Sequence, residues 1–297
     1  MLRLDYESYS GVTKLPLNVH SLNCTSSPAS YKDLATRHLS AQVNRLMLEL
    51  EVIQGICQRF QKPGYGSISA VEAMFLQKAL VDIKADRVLE IGTAAGISTG
   101  LIGLFMNDYG GSELYSVDLH KNFFANKTKR TGYLAAEIHQ KGLPKTEVIL
   151  EKMTTDLGDM FADKLFDAVF IDANHQHPWP TLDMIACIPF LRKGGIMLHH
   201  DLALYTQQNP VLGIGPKFLY DQIPESSLTT ITGDYKNIYY IRNDRQFEDN
   251  LIASLRIPWN LQEALTDESR KAFEFLIERY WSCKLLSAFQ LACEKFR

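Results

Sequence analysis

The sequence predicts an α/β fold: a doubly wound, mostly parallel sheet ending in an antiparallel hairpin, with helical N- and C-terminal extensions. Two observations predict it. Between residues 87 and 199, five short apolar runs alternate with helical segments, as buried parallel strands with crossover helices require. The first run ends in a loop of small residues, Gly92-Thr-Ala-Ala-Gly96, which opens into a helix.

The elements follow in order. Residues 1 to about 37 are polar, rich in Ser, Thr and Tyr, and read as an arm. From Tyr31 to Phe60 the pattern turns helical, with Leu46, Leu50, Ile53 and Cys57 recurring at i+3 and i+4. Gln61-Lys-Pro-Gly-Tyr-Gly-Ser67 breaks it, and a second helix is expected over 69–84. The five strand candidates are Arg87–Gly92, Leu114–Asp118, Glu147–Leu150, Phe166–Asp172 and Gly195–His199. Helices are expected near 98–107, 122–140, 156–163 and 180–191. In the second of these, Lys121, Lys127, Lys129 and Arg130 read as a solvated face. A helix near 215–222 precedes two further strands, Leu228–Thr232 and Ile238–Ile241, whose connection over 233–237 suits an antiparallel hairpin. The chain then returns to helix over 261–296. The organisation is a cap over 1–85, a core over 86–245 and a helical extension over 246–297. Trp281, Leu285, Ala288, Ala292 and Phe296 share one face of the last helix, which either packs on the body or forms a homodimer.

Composition narrows the function. The 297 residues carry 31 Lys+Arg against 34 Asp+Glu, a net charge of −3. That balance offers no basic stripe, so no nucleic-acid partner is expected. No stretch approaches 18 apolar residues, so no membrane span is expected. The N-terminal MLRLDYESYSG lacks the apolar core of a signal peptide, and a cytoplasmic protein is expected. Five cysteines (24, 57, 187, 283 and 293) form no Cys-x-x-Cys pair and read as buried free thiols.

Two segments carry the chemistry. In Glu90-Ile-Gly92-x-x-x-Gly96 the small residues admit a ligand close to the backbone, and the helix that follows presents free N–H groups. Asp118, at the end of the next strand, is placed to accept both hydroxyls of a ribose. The loop is not Gly-x-Gly-x-x-Gly, so a dinucleotide fits poorly. The second segment is marked by histidine: four of eight (His175, His177, His199 and His200) lie between residues 175 and 200. Asp172, His175, His200 and Asp201 all fall beyond the carboxyl ends of neighbouring strands, where ligands bind in such sheets. Two carboxylates with imidazole suit a divalent cation, which would polarise a substrate hydroxyl, while a neutral His takes its proton. His199, on the opposite face of its strand, reads as a core histidine, and His177 as a loop residue.

The glycine loop with Asp118 resembles the first motifs of class I S-adenosylmethionine-dependent methyltransferases, a Rossmann-like family. Phe-Ile-Asp172-Ala-x-His175 and Leu191-Arg-Lys-Gly-Gly-…-His200-Asp201 are similar to the metal-dependent O-methyltransferases of the catechol, caffeoyl-coenzyme A and macrolide-sugar type. The resemblance covers about 64–201. It implies that Glu90, Gly92, Thr93, Ala94, Gly96, Ser98, Asp118 and Asp172 bind the cofactor, S-adenosyl-L-methionine. It implies that Asp172, His200 and Asp201 hold the metal, Mg²⁺ or Mn²⁺, and that His175 is the catalytic base. His200 stands where the family carries a carboxylate. Met153-Thr-Thr155 replaces Gly-Asp/Ser-Ala, which leaves a backbone N–H or the Thr154 hydroxyl for the adenine. The expected activity is methylation of a hydroxyl oxygen on a small molecule. The alternatives are a metal-independent methyltransferase acting on oxygen or nitrogen, and a non-catalytic interaction protein built on the cofactor fold.

Overall fold

The computed structural model describes residues 48–62, 65, 68–140, 142, 144–207, 210–231 and 237–296. The N-terminal arm, Cys24, residues 63, 64, 66 and 67 between the first two helices and most of the hairpin connection lie outside the described residues.

Two helices, α1 (Leu50–Phe60) and α2 (Ala70–Ile83), precede the sheet. At the start of α2 the Ser69 hydroxyl accepts from the Glu72 N–H, while a Glu72 carboxylate oxygen accepts from the Ser69 N–H at 2.6 Å. This reciprocal pair fixes where the helix begins. Then follow β1 (Arg87–Ile91), α3 (Ile97–Tyr109), β2 (Glu113–Asp118), α4 (Ala135–Ile138), β3 (Lys145–Leu150), α5 (Leu157–Met160), β4 (Phe166–Ile171), α6 (Trp179–Cys187) and β5 (Leu191–His199). Three short helices, α7 (Leu204–Gln207), α8 (Pro210–Gly213) and α9 (Gly215–Tyr220), lead to β6 (Leu228–Thr230) and β7 (Tyr239–Arg242). The extension consists of α10 (Glu248–Leu255), α11 (Asp267–Tyr280) and α12 (Cys283–Lys295).

The strands form one seven-stranded sheet in the order β3-β2-β1-β4-β5-β7-β6. The first five are mutually parallel, and β7 runs antiparallel to both β5 and β6. Chain order reverses between β1 and β4, which opens a crevice at their carboxyl ends. Strand residues alternate between two buried faces. Val88, Leu114, Ala168, Phe170, Ile196 and Leu198 pack against α1, α2 and α3. Leu89, Tyr115, Val117, Val169, Ile171 and Met197 pack against α6 and the extension. Both faces are covered, which explains why these strands read as continuous apolar runs.

The helix expected over 122–140 is replaced by an irregular strap with one turn of helix, α4, at its end. The Asn126 side chain accepts from the Thr128 N–H and O–H, closing a local turn. Gly132, at φ +77°, donates to the Ala94 carbonyl and draws the strap against the glycine loop. The basic residues read as a helix face therefore lie on this strap. The single helix expected over 261–296 is two helices, α11 and α12. The apolar face of α12 turns inward: Leu285 and Phe289 are fully buried, and the Trp281 indole donates to the Ile185 carbonyl at 3.0 Å.

Candidate functional site

Beyond the ends of β1, β2 and β4 lies a cleft of about 360 Å³, within the size range of small-ligand pockets. Its walls come from the glycine loop (Gly92, Ala94), the end of β2 (Asp118, Leu119, His120), the strap (Phe124, Thr131), the segment after β3 (Lys152, Met153, Thr154), the end of β4 (Asp172) and α6 (Trp179, Asp183).

Backbone geometry builds the loop. Gly92 has φ +94°, and a Cβ there would stand 2.1 Å from the Asp172 carbonyl oxygen. Gly96 has φ +90°, and its Cβ would meet the Gly132 Cα at 2.9 Å. Only glycine lets the loop pass between these two backbones. Asp118 holds the loop from across the crevice: its Oδ2 accepts from the Thr93 and Ala94 N–H groups at 2.9 and 3.2 Å. Its Oδ1 accepts from the His120 N–H at 2.7 Å.

Of the expected cofactor residues, Gly92, Ala94, Asp118, Thr154 and Asp172 line the cleft. Glu90, Thr93, Gly96 and Ser98 stand behind its wall. The Glu90 carboxylate is fully buried and accepts from the Thr99 and Ser116 hydroxyls. Burial pushes its pKa up to about 7 against the pull of those hydroxyls. Thr93 Oγ1 lies 2.7 Å from Ser116 Oγ in the same buried network. Thr154 directs its hydroxyl to Asp183 Oδ1 at 2.9 Å, and burial raises the Asp183 carboxyl to about 7.

A charged cluster adjoins the cleft at Asp172. His175 Nε2 lies 3.3 Å from Asp172 Oδ1 and 3.2 Å from Asp201 Oδ2. His200 Nδ1 lies 3.2 Å from Asp172 Oδ1 and 3.3 Å from Asp201 Oδ1. Its Nε2 lies 3.2 Å from Glu72 Oε1. His200 is 3% exposed, whereas the side chains of Asp172, His175 and Asp201 are 16%, 23% and 20% exposed. Burial opposes charge on both imidazoles, but the surrounding carboxylates hold both pKa values above the ordinary histidine value. Burial likewise opposes charge on Glu72, yet the His200 contact with Ser69 and Asn237 keeps its pKa at about 2. Ligand atoms of Asp172, His175 and Asp201 all lie within 4.8 Å of one another, close enough to share one ion.

Asp201 has φ +60°, a left-handed conformation that Asp tolerates. Asn237 supports it. The Asn237 amide donates to Asp201 Oδ1 at 3.2 Å and to Glu72 Oε1 at 2.5 Å, and its Oδ1 accepts from the Ala203 N–H. Sequence reasoning missed Glu72, Asn237 and Asp183. Ser69-x-x-Glu72 carries the capping signal of a helix start, but its link to His200 arises only in the fold. His199 faces the other side of the sheet, stacks on Tyr239 at 5.2 Å, and is kept neutral by burial at a pKa of about 3. His177 lies in the loop after β4, as expected, and its ring is fully buried against Phe218.

Residues 89–202 match the family described as methyltransferase domain, just over a third of the chain. That segment runs from β1 through β5 and holds the glycine loop, Asp118, Asp172, His175, His200 and Asp201. Among curated proteins none matches the sequence. Among solved structures, the chain is similar to the O-methyltransferase TomG from Streptomyces achromogenes, involved in tomaymycin synthesis and solved with S-adenosylmethionine. Identity there is 18%, over 71% of this chain and 98% of that one, with a TM-score of 0.44. An O-methyltransferase from Bacillus cereus, in complex with S-adenosylhomocysteine, is 17% identical over 70% of this chain and 97% of that one, with a TM-score of 0.45.

Proposed function

We propose that this methyltransferase transfers the methyl group to a hydroxyl oxygen of a small molecule with the help of a divalent cation. The observation that supports this reading is the Asp172, His175 and Asp201 triad at the edge of the cofactor cleft. Two carboxylates and an imidazole fit Mg²⁺ or Mn²⁺. A cation there would polarise an acceptor hydroxyl and ease loss of its proton.

The residues divide the work. Gly92 and Ala94 admit the amino-acid half of S-adenosylmethionine to the loop backbone, and Asp118 holds the ribose. Thr154 and Asp183 border the adenine end. Asp172 belongs to both the cleft and the triad, so it keeps methyl donor and acceptor adjacent, which is where much of the rate arises. The sequence reading made His200 a ligand and His175 the base. We favour the exchange of one role: His175, the more open ring, completes the ligand set. His200, enclosed by Glu72, Asp172 and Asp201, holds both aspartates from the buried side.

Three measurements test the reading. Calorimetry with S-adenosylhomocysteine is expected to show one site per chain, and no binding would overturn the methyltransferase reading of the cleft. Electron paramagnetic resonance is expected to show one bound Mn²⁺. Transfer of labelled methyl to catechols, sugars and polyketide alcohols is expected to stop in EDTA and return with Mg²⁺ or Mn²⁺. Full turnover after exhaustive metal removal would sink the metal's part.

A further inference from the structure

The loop carrying His175 is tied to the C-terminal extension as well as to the sheet. Asn260, in the segment between α10 and α11, bonds the backbone of His177 on both sides. Its Oδ1 accepts from the His177 N–H at 2.6 Å, and its own N–H donates to the His177 carbonyl at 3.1 Å. Two residues on, the Gln262 N–H donates to Gln176 Oε1 at 2.7 Å, and the Gln176 amide returns a bond to Gln262 Oε1 at 3.3 Å. From the other side the Gly215 N–H donates to the His175 carbonyl at 2.9 Å, and a Cβ on Gly215 would stand 2.6 Å from that oxygen. The loop 175–177 is thus gripped residue by residue, while the His175 ring projects to Asp172 and Asp201.

We propose that the C-terminal extension positions the active site: Asn260 and Gln262 set the height and rotation of the loop, so that His175 Nε2 meets the two aspartates. This rests on reading Asp172, His175 and Asp201 as the metal triad. The argument is geometric. His175 lies at a loop apex with one ring nitrogen directed to two carboxylates, and a backbone free to shift by an ångström would lose both contacts. Nothing in β4 restrains residues 175–177, because the strand ends at Ile171. Asn260 and Gln262 supply that restraint from more than 80 residues away in sequence. They are positioning residues that act through His175, as outer partners of metal ligands do.

The test uses the full chain with Mn²⁺ and S-adenosylhomocysteine as probes. Asn260→Ala is expected to speed amide exchange across 174–178 at least about tenfold and to weaken Mn²⁺ binding by roughly 10-fold, the lower end for lost outer partners. S-adenosylhomocysteine affinity is expected to stay within about twofold, since the extension does not line the cleft. Asn260→Asp, which keeps the acceptor for His177, is expected to recover most of both losses. Gln262→Ala, at an exposed site, gives the same pattern in weaker form and serves if Asn260→Ala does not fold. Unchanged exchange, or faster exchange with unchanged Mn²⁺ affinity, overturns the inference alone. A wild-type protein that binds no Mn²⁺ overturns the site reading and this inference with it.

Discussion

His200 Nε2 lies 3.2 Å from Glu72 Oε1, which couples the helix ahead of the sheet to the end of its fifth strand. Both side chains are almost fully buried. Glu72→Ala leaves the His200 ring short of one of its three carboxylates in a dry setting. Urea unfolding is expected to show a loss of about 3 kcal/mol, the scale for breaking a buried pair. A loss below 1 kcal/mol would show that Asp172 and Asp201 satisfy the ring alone.

The two histidines should separate by measurement. His175→Ala is expected to lower Mn²⁺ affinity by more than the roughly 10–100-fold typical of an outer partner, with little change in stability. His200→Ala is expected to do the reverse: a smaller loss of Mn²⁺ affinity and a larger loss of stability, because it uncovers three carboxylates. Titrating Mn²⁺ against each variant, beside a melting curve, decides the assignment.

Gly92→Ala is expected to disable the cleft. The new methyl would press on the Asp172 carbonyl oxygen from a backbone that L residues rarely adopt. The cost is at least about 2 kcal/mol of stability, and S-adenosylhomocysteine binding should fall with it, since the loop and Asp172 move together.

Asp118→Ala should reduce S-adenosylhomocysteine affinity about 10- to 100-fold, the worth of one or two charge-assisted hydrogen bonds. It also releases the Thr93 and Ala94 N–H groups that Asp118 holds. Asp118→Asn, which keeps an acceptor, should lose less, and calorimetry separates the two.

Glu90 predicts a pH dependence. Burial raises its carboxyl from 4.5 to about 7, so between those values the folded chain holds a proton that the unfolded chain has released. Its contribution to stability is fully present below pH 4.5 and is lost as pH rises through about 7. Glu90→Gln should flatten that slope, as read by unfolding at several pH values. A wild-type slope that survives in the variant would assign it to another group, Asp183 being the first to examine.

The parallel sheet was legible because its central strands are buried on both faces, so Ala168–Ile171 in β4 reads as an unbroken apolar run. The strap over 122–134 was not, because the turn that Asn126 closes on Thr128 carries no hydrophobic period to mark it. Only the approach of Gly132 to Ala94 draws it out. Asp172, His175, His200 and Asp201 were legible as a group because strand ends bring them to one edge. The part Glu72 plays was hidden: in the sequence it is a capping residue, and its second oxygen finds His200 and Asn237 only after α2 docks. The tie between Asn260 and His177 was equally hidden, since it joins two irregular segments with no periodicity to betray it.

Asn237 reaches back 165 residues to Glu72, and the same amide touches Asp201. The charged cluster therefore joins one local pair, Asp172 and His175, to partners far along the chain. Its Asn237 contacts wait for the residues just ahead of β7, and its Glu72 contacts end if α2 undocks. Contacts of such sequence separation come late in folding. A chain cut short before Asn237 would keep Asp172, His175 and Asp201 but lack the amide that ties Asp201 to Glu72.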